Sequence, residues 1–133
     1  MENMLKVKLG DFKTFRVGCA LRSPNKARSE NLALIYDTGA STTSITRDIL
    51  ERLGYSDFKQ ATHVKRTAQG FAQLQTCIIS ELVISKRFIM HNIKVDILEG
   101  DSSPSFGGVI GMDFISMVTS VISGREGTLE ITL

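Results

Sequence analysis

The chain has 133 residues, 42% apolar and 23% charged, which is enough for one cored domain, too little for two, and too apolar for a disordered tail. No apolar run approaches the length of a membrane span, and the opening MENMLKVKLGD lacks the continuous apolar stretch of a secretory signal, so a cytoplasmic protein without membrane contact is expected. The net charge of +2 is unevenly placed, because residues 1–28 hold seven basic and two acidic side chains while the remainder holds nine basic and twelve acidic.

Period-two patterns dominate. Leu5-Lys6-Val7-Lys8-Leu9 and Phe15-Arg16-Val17 read as two strands joined at Gly10-Asp11, an N-terminal hairpin over residues 4–21. Its basic residues alternate with apolar ones, as on the solvated face of a half-buried hairpin. The polar stretch Arg22–Asn31 reads as an exposed loop. Leu32–Tyr36 is nearly all apolar, which suggests a strand buried on both faces, and it runs directly into Asp37-Thr38-Gly39-Ala40. One short helix is expected after Thr46, a good N-cap, with Asp48 and Glu51 near its positive end, Ile49, Leu50 and Leu53 on one apolar side, and Gly54 as the stop. Strand-like pieces follow at His63–Thr67, Phe71–Ile84 and Phe88–Leu98, the first two separated by a turn at Ala68-Gln69-Gly70. After the loop GDSSPSFGG come Val109-Ile110-Gly111, a short helix over Asp113–Val118, and strands at Val118–Ile122 and Thr128–Leu133. The reading is mainly β, a single domain over 1–133 with one or two short helices.

Asp37 is the most unusual carboxylate. A buried strand holds its backbone, a hydroxyl follows at Thr38, and Gly39 permits a tight turn with close backbone approach. On local chemistry alone, Asp37 is either a turn cap or a group placed for acid–base work. Cys19 and Cys77 stand far from any CxxC or His-rich spacing; they could pair in an oxidising compartment, and in a cytosolic protein read as free buried thiols. No metal-ligand spacing is present, and no cofactor motif. His63 and His91 have no complementary nucleophile. The hydroxyl run Ser41–Ser44 has no activating base and reads as loop and pre-cap residues.

The segment Ala33–Ser41 resembles the active-site strand and loop of retropepsin-type aspartic proteases, whose mark is an apolar strand followed by Asp-Thr/Ser-Gly-Ala. Further resemblances follow in the same order. Leu53-Gly54 ends a helix after the loop, as in bacterial members. Thr67-Ala68-Gln69-Gly70 resembles the Thr-Ala-Asn-Gly of their flap. Val109-Ile110-Gly111 and the helix after it are similar to the apolar-apolar-Gly motif of the eukaryotic DNA-damage-inducible members. The resemblance covers roughly residues 32–133 and implies a closed β-barrel that forms a symmetric homodimer. It implies Asp37 as the catalytic group, with Thr38, Gly39 and Ala40 supporting the active-site loop over 37–41. It also implies a flap over 63–75 with Ala68, Gln69, Gly70 and Phe71 against a peptide substrate, and the motif at 109–111 with Val109 lining a pocket. Phe106 reads equally as a cleft border or a loop anchor.

The family chemistry needs two carboxylates on one water, and the chain offers one such Asp. Asp113 reads as a helix-start or ion-pairing residue. The expectation is an aspartic endopeptidase with one Asp37 from each copy, needing no metal or cofactor. The alternative is the same fold as a catalytically silent dimerisation or peptide-binding module. A nucleic-acid-binding β domain is weaker, since no recognition motif is present and the chain has two Tyr and no Trp.

Overall fold

The computed structural model describes residues 4–60, 65–67, 70–72 and 74–133. Its centre is a closed six-strand barrel. Strands β2 (Arg16–Arg22), β3 (Ser29–Tyr36), β10 (Gly108–Ile110), β4 (Ser44–Thr46), β9 (Phe88–Leu98) and β8 (Gln75–Ile84) follow one another around it, and pairing of β2 with β8 closes the ring. The two-residue strand β5 (Lys59–Gln60) adds to the start of β8. A small hairpin, β6 (Lys65–Thr67) with β7 (Gly70–Ala72), pairs Thr67 with Gly70. Outside the barrel, β1 (Met4–Lys8), β12 (Thr128–Thr132) and β11 (Thr119–Ser123) form a three-stranded antiparallel sheet with β12 in the middle.

Alternation builds the core. Val17, Cys19 and Leu21 on β2 and Leu32, Leu34 and Tyr36 on β3 point inward, as period two requires. On the long β8–β9 hairpin the inward set changes phase. Cys77 and Ile79 are buried before Ser80, and Leu82 and Ile84 after it. The facing strand breaks phase at Asn92, which has φ 51. The hairpin turns on Ser85 and Lys86, both left-handed, closed by the Arg87 amide on the Ile84 carbonyl at 3.1 Å. Cys19 and Cys77 are free and buried; burial pushes their thiols up to about 12 and about 11.

The short helices follow the apolar spacing. Helix α1 (Arg47–Arg52) starts after Thr46 in extended geometry and buries Ile49 and Leu50, and Gly54 at φ 96 ends its turn. Helix α2 is shorter than expected, Met112–Ile115, burying Phe114 and Ile115, with Phe114 edge-on to Phe88. Among the described residues, no helix is long and apolar enough to cross a membrane.

Two expectations change. The N-terminal hairpin over 4–21 does not form, because β1 pairs with β12, from Met4 against Thr132 to Lys8 against Thr128. Left-handed Phe12 and Lys13 swing the connection away, and the alternating Leu129 and Ile131, both fully buried, offer β1 an apolar partner face. Lys6 and Lys8 still face outward, as the alternation requires. The polar loop is also shorter than Arg22–Asn31, since Arg22 pairs with Ser29 across β2 and β3. Leu34 has no exposed surface and sits beside β10. Leu34→Ala is expected to lower unfolding free energy by about 2–5 kcal/mol, read as a fall in the urea midpoint.

Candidate active site

The chain leaves β3 at Tyr36, makes the Asp37–Ala40 loop, and returns as β4. Between those two strands lies β10, parallel to β3 through Val109 opposite Ile35, and antiparallel to β4 through Val109 opposite Ser44. Asp37 is thus delivered at the open end of a strand whose backbone bonds are satisfied by its neighbours. Its amide donates to the Ile110 carbonyl at 3.0 Å, and its carbonyl accepts from Ala40 at 3.2 Å. The Gly39 amide donates to Asp37 Oδ1 at 2.8 Å, an Asx turn that fixes the side chain. Asp37, Thr38 and Gly39 are exposed, while Ala40 is half-buried.

Threading β10 between two strands requires glycine at its ends. A Cβ on Gly108, which has φ 143, would lie 2.0 Å from the Ser44 carbonyl oxygen; one on Gly111 would lie 2.6 Å from the Thr42 carbonyl carbon. Below about 3 Å no side chain fits against backbone. The close approach lets the Met112 amide reach the Ala40 carbonyl at 2.7 Å.

A second carboxylate braces the same loop from beneath. Asp113 Oδ1 accepts from the Thr43 hydroxyl at 2.7 Å, and its Oδ2 accepts from the Thr43 amide at 3.0 Å. The Gly111 amide donates back to Thr43 Oγ1 at 3.2 Å, and the Phe114 amide to Asp113 Oδ1 at 2.9 Å. Thr43 is fully buried, so these bonds are worth more than surface ones. Asp113 is a helix-start residue whose lone pairs are committed to the loop.

A model of aspartyl proteases matches residues 26–114. The chain belongs to the aspartyl protease family. Among solved structures, it is similar to a retropepsin-like aspartic protease from Rickettsia conorii, with TM-score 0.73 at 19% identity over 98% of this chain and 91% of that one. The barrel is therefore retropepsin-like in fold. A comparison with curated proteins finds no match.

The other residues singled out in this aspartyl protease chain fall as follows. Val109 is half-buried on β10. Gly70 and Phe71 lie on β7, in the hairpin expected as the flap; Ala68, Gln69 and His63 fall outside the described residues. Phe106 exchanges backbone bonds with Ser103 at 2.9 and 3.1 Å, closing a small turn before β10. His91 is exposed on β9, 3.5 Å from Glu81. Among the described residues, no group of three or more His, Cys, Asp or Glu is placed to hold a metal. The role of Thr43 was not apparent in sequence; it stood as one hydroxyl in a run of four.

The loop before β10 is tied to α1. Asp48 Oδ2 accepts from the Ser102 amide at 3.0 Å and the Ser102 hydroxyl at 2.7 Å, and Asp48 Oδ1 from the Ile49 amide at 2.9 Å. Burial works to raise this carboxyl, but the bonds it accepts, those from Ser102 and Ile49 among them, hold it well below the usual carboxylate range. A depressed folded value stabilises the fold above the unfolded carboxylate value, near about pH 4, and the stability is lost as pH falls through the folded value. Urea unfolding of the wild type should therefore weaken below pH 4 more steeply than that of Asp48→Asn.

Proposed function

We propose that this chain is an aspartic endopeptidase working as a symmetric homodimer, each copy giving one Asp37 to a shared water. The observation that carries the reading is the exposed Asp37 carboxylate at the end of a buried strand, in a loop held by Ile110, Ala40 and Gly39. Asp113, the tempting second candidate in the sequence, is bound to Thr43, which supports drawing the second carboxylate from another copy.

The surroundings favour a second copy. Met112, Met117, Val121 and Ile122 are all exposed, Met117, Val121 and Ile122 by more than half. They lie on α2, just after it, and on β11, the elements bonded to the loop and its strand through Met112–Ala40 and Ser120–Tyr36. Exposed apolar side chains on elements bonded to the loop favour a contact surface there.

With two carboxylates on one water, like charges resist ionising together and the pair shares a proton. The ionised member takes a proton from water as it attacks the scissile carbonyl; the protonated member donates to the carbonyl oxygen. The roles then reverse as the amine leaves. Thr38, Gly39 and Ala40 hold the loop. By the family resemblance, the expected flap over 63–75, with Ala68, Gln69, Gly70 and Phe71, meets an extended peptide as an added strand, and Val109 lines a side-chain pocket. No metal or cofactor is needed.

Digestion of a peptide library by wild type and Asp37→Asn tests the reading. Asp37→Asn is expected to keep its sedimentation behaviour and lose cleavage by roughly 10²–10⁴-fold, the span of general acid–base catalysis. Undiminished cleavage would sink the mechanism, and peptide binding without cleavage by wild type would favour the silent module. Val121→Asp should raise the dimer dissociation constant at least about tenfold, as read by sedimentation across concentrations; an unchanged constant removes β11 from the interface.

A further inference from the structure

Tyr36 occupies an inward position on β3, in phase with Leu32 and Leu34. An aliphatic side chain would fill that place without introducing a polar group into the core. Instead the buried Tyr36 ring carries its hydroxyl to Ser120 Oγ, 2.6 Å away. The two residues are 84 positions apart in sequence. Burial raises the phenol, opposed by the bond to Ser120.

The positions at the two ends of this bond give it meaning. Tyr36 immediately precedes Asp37, and its amide donates to the Phe15 carbonyl at 2.8 Å. Ser120 lies on β11, opposite buried Ile131 in the register of the outer sheet, and the next residues on that strand are the exposed Val121 and Ile122. The bond therefore ties the residue beside the reacting carboxylate to the strand whose outer residues are open to a partner. Main-chain bonds from Ile110 and Ala40 fix where Asp37 sits along the loop. The phenol fixes the strand end from the opposite, inward side.

We propose that Tyr36 and Ser120 are positioning residues for Asp37, joining the active-site strand to β11 so that the carboxylate is aligned only when the outer sheet is seated on the barrel. This rests on the protease reading above. An enzyme can lose much of its rate when a reacting group shifts by a fraction of an ångström while substrate contacts survive.

The test measures kcat and KM for Tyr36→Phe, Ser120→Ala, the double variant and Ser120→Thr, beside wild type and Asp37→Asn on one cleaved peptide. Tyr36→Phe keeps the ring, so its melting temperature should stay within a few degrees of wild type. Each single loss should lower kcat about 5- to 20-fold with KM within about twofold. The double variant should fall no further than either single variant, because both remove the same bond. Ser120→Thr, which keeps the hydroxyl, should recover most of the rate. An unchanged kcat, an effect confined to KM, or multiplying losses in the double variant would overturn the inference while leaving the protease reading intact. A wild type that cleaves nothing, or an Asp37→Asn variant that still cleaves, would defeat the protease reading and this inference with it.

Discussion

The architecture depends on one steric passage: a three-residue strand lying between the two strands that flank the Asp37 loop. β10 fits there because Gly108 meets the Ser44 backbone, and Gly111 the Thr42 backbone, at distances no Cβ tolerates. Once the strand is in place, the remaining contacts follow. Ile110 accepts the Asp37 amide, Met112 reaches Ala40, and α2 begins where Asp113 can take both donors of Thr43. The barrel core supplies most of the folding energy through apolar burial, but the passage decides where the loop points.

The carboxylates divide by what surrounds them. Asp113 and Asp48 are consumed by hydrogen bonds from amides and hydroxyls, and they brace the loops on either side of β10. Asp37 accepts one amide bond, from Gly39, and stays open to solvent. The lone pairs left open on Asp37 suit the proton exchange proposed for it, whereas Asp113 and Asp48 spend theirs holding loops.

Much of this was legible along the chain. Leu32–Tyr36 running into Asp-Thr-Gly-Ala located the strand and loop, and Ile49, Leu50 and Gly54 located α1, while Thr46 stands at its start without making a side-chain cap bond. These signals are local: period and punctuation. What sequence could not show was pairing across long separations. Leu5 and Val7 carry the same alternation whether they face β2 or β12, so the N-terminal hairpin was a reasonable expectation and the wrong one. Thr43 and Tyr36 were hidden for a related reason. Each owes its role to a partner 70 or 84 residues away, and only the fold brings the partners together. A tyrosine at an aliphatic core position was the available hint.

The marriage of β1 to β12 has a kinetic side. Leu5 pairs with Ile131, 126 residues later, so a long loop must be closed before β1 can join the β11–β12 hairpin. Closure entropy grows only slowly with length, but contacts this remote form late. During synthesis β1 has no partner for Leu5 and Val7 until β12 has been made. The Tyr36–Ser120 bond, which needs β11 docked beside β12, belongs to that final step. The barrel can assemble early, and the strand that presents Asp37 acquires its inward anchor only when β11 and β12 have docked.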